Sequence, residues 1–221
     1  MPHTGEAAIR LLSLGGCQVT IAQNNCCGLP AWSYGDFEAA DRLARQNVDL
    51  LSGLDFDFIV SECGSCTGFL KDYAELLPDS PPALALSERA RDITEVLSQL
   101  SLPTISSAET TVTYHDPCHL GRQQGITEAP RKLLVDSGCK LVEMAESGWC
   151  CGGAGSYNLS HPEMSQEILA RKMSRIADTG AEVVTTSCPA CIIQLESGVR
   201  SHGLGQPVRH VVEVLTKRLG F

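Results

Sequence analysis

Nine of the eleven cysteines in this 221-residue chain fall into two matching sets. Cys63 and Cys66 form a C-x-x-C pair preceded by Cys26-Cys27-Gly28, and Cys188 and Cys191 form a second pair preceded by Cys150-Cys151-Gly152. The second set has a fifth member, Cys118, with 31 residues between it and Cys150. Each C-x-x-C stands where a strand pattern gives way to a helix pattern. There the positive end of the helix dipole and free backbone N–H groups stabilise thiolates, the form of cysteine that binds metal. Cys118 follows TVTYHD at the same kind of turn. Gly28 and Gly152 are expected to give the backbone the freedom to approach an inorganic cluster closely.

Five thiolates exceed what a tetrahedral zinc site or an ordinary four-iron cube uses. Either one is a spare, or the cluster is unusual and shares a bridging thiolate. Adjacent cysteines such as Cys150 and Cys151 suit neighbouring irons better than one shared metal, which weighs against structural zinc, the main competing reading. A thioredoxin-like redox pair would explain a lone C-x-x-C, but each pair here comes with a Cys-Cys-Gly. His115 and His119 flank Cys118 as candidate cofactor-binding residues, acting as ligands or as hydrogen-bond donors to sulfur. Cys17 and Cys139 occupy matching positions and read as small buried residues. The glycines of GGAGS lack the Lys-Ser/Thr ending of a phosphate loop and read as a loop hugging the cluster. No Ser-His-Asp or paired-carboxylate arrangement stands out, which places chemistry on a substrate elsewhere.

The composition fits a redox protein better than a nucleic-acid binder. Seventeen basic residues against 26 acidic ones give a net charge of −9, the wrong sign for gripping phosphate backbones. No stretch approaches the roughly 18–20 uninterrupted apolar residues that cross a bilayer, and MPHTGEAAIR lacks the basic start of a signal peptide. The expected compartment is therefore cytoplasmic, where abundant cysteine points to metal or redox chemistry rather than to disulfides.

The elements that must position these cysteines repeat. GEAAIRLLSLGGCQV aligns with TEAPRKLLVDSGCKLV, placing Glu6 on Glu128 and Gly16-Cys17 on Gly138-Cys139, and the two cysteine motifs follow in register. ARDITEVLSQL and VRHVVEVLTKRL close the two units. Each unit reads as alternating strands and helices, the pattern of a parallel α/β sheet. In the second unit TTVTYHD, CKLVEMAE and AEVVTTS are expected strands. EAPRKLLVDSG and CPACIIQLESGV are expected helices, as is the segment from Ser160 to Gly180, with a capping box of Ser160 and Glu163 and an apolar face of Met164, Ile168 and Met173. In the first unit CQVTIA and DFDFIVSE are expected strands and DFEAADRLARQNVDLLSG a helix, while LPDSPPALALSE reads as a surface loop. SLPTISSAE is the best linker, and the boundary falls near residue 105, giving domains 1–105 and 106–221.

The spacing of Cys118, Cys150-Cys151-Gly152 and Cys188-x-x-Cys191 resembles the cysteine-rich CCG domain family. That family includes the cysteine-rich subunit of heterodisulfide reductase and the iron-sulfur subunits of glycolate and lactate oxidation. HDPCHLGRQQGITEAPRKLL and WCCGGAGSYNLSHPEMSQEILARKM are most similar to the glycolate oxidase branch. The resemblance covers almost the whole chain and implies an α/β tandem pseudo-repeat of two CCG domains, each a small, mostly parallel sheet with flanking helices. It implies 4Fe-4S clusters held by Cys118, Cys150, Cys151, Cys188 and Cys191 and by Cys26, Cys27, Cys63 and Cys66, with a non-cubane cluster as an alternative at the second motif. It further implies electron transfer from a flavoprotein partner toward quinone or another acceptor, a ferredoxin-like domain or chain as a further partner, and peripheral membrane association through such partners. Disulfide reduction at the cluster is the alternative activity, and a zinc-stabilised interaction module the alternative class. The counterpart of Cys118 in the first unit would precede Met1, so the expectation is a fragment, a misassigned start or a truncated relative.

Overall fold

The computed structural model describes residues 1–103 and 110–220; the boundary placed at residue 105 lies outside the described residues. The first unit runs α1 (Pro2–Leu14), α2 (Leu29–Ser33), α3 (Phe37–Ser52), β1 (Ile59–Ser61), α4 (Gly64–Lys71), α5 (Tyr73–Leu76), α6 (Pro81–Arg89), β2 (Ala90–Asp92) and α7 (Ile93–Leu97). The second runs β3 (Thr110–His115), α8 (Cys118–Gly121), α9 (Glu128–Asp136), β4 (Cys139–Leu141), α10 (Tyr157–Ser160), α11 (Pro162–Thr179), β5 (Val183–Thr186), α12 (Pro189–Ser201), β6 (Val208–His210) and α13 (Val211–Arg218). β1 and β2 pair in parallel, and the second unit forms a parallel sheet in the order β4-β3-β5-β6. This is the mixed α/β architecture with parallel sheets that the repeat implies.

The expected strand CQVTIA does not form. Cys17 and Val19 turn inward while Gln18 and Thr20 face solvent, so the strand's alternation survives, but no ladder does. In the second unit the matching β4 pairs only with β3, and the described part of the first unit has no strand in that central place. Without that partner, alternation alone cannot make a strand.

LPDSPPALALSE is mostly helix rather than loop. Ser80 caps α6 by accepting a hydrogen bond from Ala83 N at 3.3 Å, and Pro81 sits at the first helical position, where its fixed φ is already helical and its missing N–H costs nothing. The expected capping box of Ser160 and Glu163 is also absent: α11 begins at Pro162 with His161 as its cap. Its buried face is Ser165, Leu169, Lys172, Met173 and Ile176, so Met164 lies exposed. CKLVEMAE contributes only β4, and DFDFIVSE only β1. The closing segments each begin with a three-residue strand, β2 or β6, too short to show a period.

Three cores hold the molecule together. One is shared by the two units: Leu11 and Leu12 of α1, Ile93 and Leu97 of α7, Tyr114 of β3, Leu133 and Leu134 of α9 and Val211 and Leu215 of α13 pack together. Cys139 is buried there and Cys17 packs against it, as expected of small core residues. A second core lies among α3, α4, α5 and α6. The third, against α11, β5 and α12, already contains Cys151, Cys188 and Cys191.

The repeat places Asp92 and His210 at equivalent helix starts. Asp92 Oδ1 accepts from Thr94 N at 2.9 Å, and His210 Nδ1 accepts from Val212 N at 3.2 Å. Burial pushes the Asp92 carboxyl up to about 7, and its Oδ2 has no partner among the described residues. A carboxyl raised in the folded state binds a proton there before the unfolded chain does, so stability falls as pH rises from about 4 to about 7. Asp92→Asn keeps the capping oxygen and removes the charge. It is expected to flatten that decline and to stabilise the chain at pH 8 by up to about 4 kcal/mol. Urea midpoints measured across this pH range check it; an unchanged slope would contradict it.

Candidate metal centre

The carboxyl ends of the parallel strands carry the cysteines to one edge. β3 ends at His115 and leads through Asp116-Pro117 to Cys118, β5 leads to Cys188, and β1 leads to Cys63. Cys63 is the N-cap of α4 and Cys188 the N-cap of α12, with Pro189 opening the helix. Cys66 and Cys191 fall in the first turns. The loops after the shared core bring in Cys26-Cys27 and Cys150-Cys151. All eleven cysteines are free thiols.

The nine motif sulfurs form one series in which each influences the ionisation of its neighbours. Cys27 is influenced by Cys26 and Cys66, Cys66 also by Cys63, and Cys63 by Cys188 across the unit boundary. Cys191 is influenced by both Cys188 and Cys151, and Cys150 by Cys118 and Cys151. The sequence motifs define two separate sets; the fold joins them. The series is exposed at Cys26 and buried at Cys151, Cys188 and Cys191.

Neighbouring sulfurs set which thiols ionise first. The thiol of Cys66 lowers Cys27 to about 7 against the opposing effect of burial. The thiols of Cys118 and Cys151, and then the Gly152 amide, hold Cys150 far below an ordinary thiol. Gly152 N donates to Cys150 Sγ at 3.3 Å. Cys188 is likewise lowered by the thiols of Cys191 and Cys63 and then by the amides of Cys191 and Ala190 at the start of α12. Cys63, Cys66, Cys118, Cys151 and Cys191 are raised. The sulfurs are close enough that none titrates independently of its neighbours.

The two units are stitched together around the Cys63–Cys188 contact. His119 Nδ1 and Ser65 Oγ are 2.7 Å apart, and Ser65 Oγ lies 3.9 Å from Cys188 Sγ. Gln124 Nε2 donates to both Gly64 O and His119 O at 2.7 Å, Gly64 N donates to Ser187 O, and His210 Nε2 donates to Glu62 O. His119 therefore orients the first unit's CGSC turn.

His115 is different. It is 1% exposed, neither ring nitrogen has a partner among the described residues, and a ring nitrogen and the sulfurs of Cys151 and Cys191 lie within 4.8 Å of one another. Burial, and then the charge of Lys172, hold its imidazole down at about 4, which keeps the ring neutral.

Lys172 was not evident from the motifs. It is buried, and its Nζ donates to Glu146 O at 2.6 Å and to Ser147 O at 3.1 Å, with Met144 Sδ at 3.8 Å. It thus shapes the segment that delivers Cys150 and Cys151 while setting a cation near their thiolates. Its only sequence signal is a lysine on the apolar face of α11, between Leu169 and Met173. Arg131, also missed, bonds both carboxylate oxygens of Asp116, at 2.7 and 2.8 Å.

The motif glycines act by packing as well as by conformation. At φ +87°, Gly152 leaves room for no side chain: a Cβ there would meet Ser165 O at 2.6 Å. Gly28, at φ +100°, is less tightly enclosed, with Ala40 O and Phe69 each 3.2 Å from where a Cβ would stand. The close approach is thus made to α11 and α3, which fix the Cys-Cys turns. Gly152→Ala is expected to cost roughly 1–3 kcal/mol from the backbone angle alone, with the clash added. Gly155→Ala, at φ +66° in open space, is the control that carries only the first part. Equal melting temperatures for the two variants would contradict this account.

The donor set fits an iron-sulfur group: many thiols in mutual contact, several buried, beside an imidazole with both nitrogens unsatisfied. The cysteine-rich domain family, CCG, matches residues 1–71 and 112–196, and the chain belongs to that family. It is 34% identical to the probable glycolate oxidase iron-sulfur subunit of Bacillus subtilis (strain 168), over 98% of this chain and 51% of that protein. It is 31% identical to lactate utilization protein A of Exiguobacterium sp., over 98% of this chain and 91% of that protein. A CoM/CoB fumarate reductase subunit of Methanothermobacter marburgensis is 32% identical over 97% of this chain and 43% of its own length. The chain thus spans about half the length of some curated relatives and nearly all of others. These names and the cysteine-rich domain support an iron-sulfur cluster and an oxidoreductase role. Among the described residues no helix is long and apolar enough to cross a membrane.

Proposed function

We propose that this chain is the iron-sulfur electron-transfer subunit of a 2-hydroxy-acid oxidation system, acting on glycolate or lactate through a partner flavoprotein and passing electrons toward quinone or another acceptor. The observation that carries the reading is the series of nine thiols running from exposed Cys26 to the buried cysteines of the second unit. Cys118, Cys150, Cys151, Cys188 and Cys191 would hold one 4Fe-4S cluster, non-cubane if all five ligate. Cys26, Cys27, Cys63 and Cys66 would hold the other, with units divided near residue 105. Such clusters supply one-electron storage. The chain's own residues do the rest: Lys172 places a positive charge beside the thiolates, His119 and Ser65 fix the junction, and the Cys26 end faces solvent. A ferredoxin-like domain or chain is the expected further partner, at the cytoplasmic face of the membrane.

The test is anaerobic reconstitution followed by iron and sulfide analysis and EPR, then mixing with the flavoprotein and a 2-hydroxy acid. Cluster reduction that requires both supports the reading. Stoichiometric zinc without iron, or clusters that the flavoprotein never reduces, sinks it.

A further inference from the structure

We propose that His115 is a sixth protein ligand of the second unit's cluster, binding iron through one ring nitrogen. The inference rests on the iron-sulfur reading of this site and deepens it.

A neutral imidazole needs a partner at each of its two ring nitrogens. One nitrogen is a donor and the other an acceptor, and neither is readily left alone in a dry interior. His115 ends the central strand β3, is 1% exposed, and finds no partner for either nitrogen among the described residues. The buried cation beside the site is Lys172, and its three ammonium protons are matched by Glu146 O, Ser147 O and Met144 Sδ. Iron bound at the ring nitrogen that lies near the cysteine sulfurs would give that buried lone pair a partner, which no hydrogen bond among the described residues supplies.

Position agrees with this need. A His115 nitrogen and the sulfurs of Cys151 and Cys191 lie within 4.8 Å of one another, which places the imidazole among the sulfurs that would hold the cluster. The ring is fixed there by the fold: Val112, Thr113 and Tyr114 are buried with it, and β3 is hydrogen-bonded on both sides, by β4 and β5. His119, in contrast, engages Ser65 through its Nδ1 and serves the junction. The neutral imidazole adds a lone pair and no charge, so coordination releases no proton from it. Imidazole in place of thiolate raises the reduction potential in the Rieske type of centre, so cysteine in place of His115 is expected to lower it here.

The experiment uses the full chain, reconstituted anaerobically with iron and sulfide after growth on 15N-labelled histidine. Pulsed EPR of the reduced protein is expected to show a strongly coupled histidine nitrogen whose pattern changes between the 14N and 15N samples. It should persist in His119→Gln and vanish in His115→Ala. If His115→Ala does not load, His115→Cys should, with the nitrogen coupling gone and the midpoint potential shifted negative by the added thiolate charge. A wild-type protein that binds iron and sulfide but shows only weak nitrogen couplings overturns the ligation and leaves the electron-transfer reading standing. So does a strong coupling that survives His115→Ala. A chain that takes up no iron overturns both.

Discussion

Cys188→Ala is expected to remove about half or more of the bound iron and to disturb the cluster signal of the first unit as well as the second. Cys188 caps α12, and its ionisation is coupled to Cys191 within its own unit and to Cys63 of the other. Removing its sulfur deletes a buried ligand and also the group against which Cys63 is placed. Two independent sites would behave otherwise: the alanine variant would empty the second and leave the first untouched. Cys63→Ala is the reciprocal case and should broaden or shift the second unit's signal even while that unit keeps its five cysteines. The check is iron and sulfide stoichiometry together with EPR of both variants, each beside the wild type. Additive spectra, with each variant simply lacking one unchanged component, would show that the thiol contact across the boundary does not couple the sites.

Much of this site was legible because cysteine motifs carry their own punctuation. The C-x-x-C pairs sit at strand-to-helix junctions, Gly152 and Gly28 take the left-handed backbone that their position after Cys-Cys suggests, and the parallel sheets follow from the alternating pattern. What could not be read was anything set by the packing of one unit on the other. The Cys63–Cys188 contact depends on Gly64 meeting Leu120 and on Gln124 bridging the two turns, and neither Leu120 nor Gln124 is of a type that signals a role at a metal site. Lys172 and Arg131 were missed for a related reason: each is a cation held inside by backbone carbonyls or by a carboxylate from a distant segment, partners that spacing along the chain does not name. CQVTIA failed in the opposite sense. Its alternation was real, but a strand exists only with a neighbour, and the described residues of the first unit supply none in that place.

The most damaging change outside the thiols is expected at Arg131. Its guanidinium bonds both oxygens of Asp116, the residue two before Cys118. It also reaches Glu143 Oε1 at 2.8 Å and Thr127 O at 2.8 Å, and it lies over the Tyr114 ring. One side chain therefore ties the end of β3, the start of α9 and the segment leading toward Cys150. The Arg131 and Asp116 side chains are only 15% and 7% exposed. Burial works against the Asp116 charge, and the bonds from Arg131 more than offset it, holding the carboxyl below its ordinary value. Arg131→Ala leaves that carboxylate buried and unpaired, which costs roughly 3–5 kcal/mol and lowers the melting temperature by on the order of 10 °C. Arg131→Lys keeps the charge but not the two-pronged geometry, and should recover only part of the loss. Asp116→Asn in the Arg131→Ala background should recover more, because it removes the stranded charge itself. The pH dependence follows from the same pair. A depressed carboxyl stabilises the fold at neutral pH, and the contribution fades as acid protonates it, so the gap between wild type and Arg131→Ala should narrow as pH falls. Thermal melts of the four proteins across acid and neutral pH decide the matter. If Arg131→Ala melts within a degree or two of wild type at pH 7, the pair does not anchor the Cys118 turn.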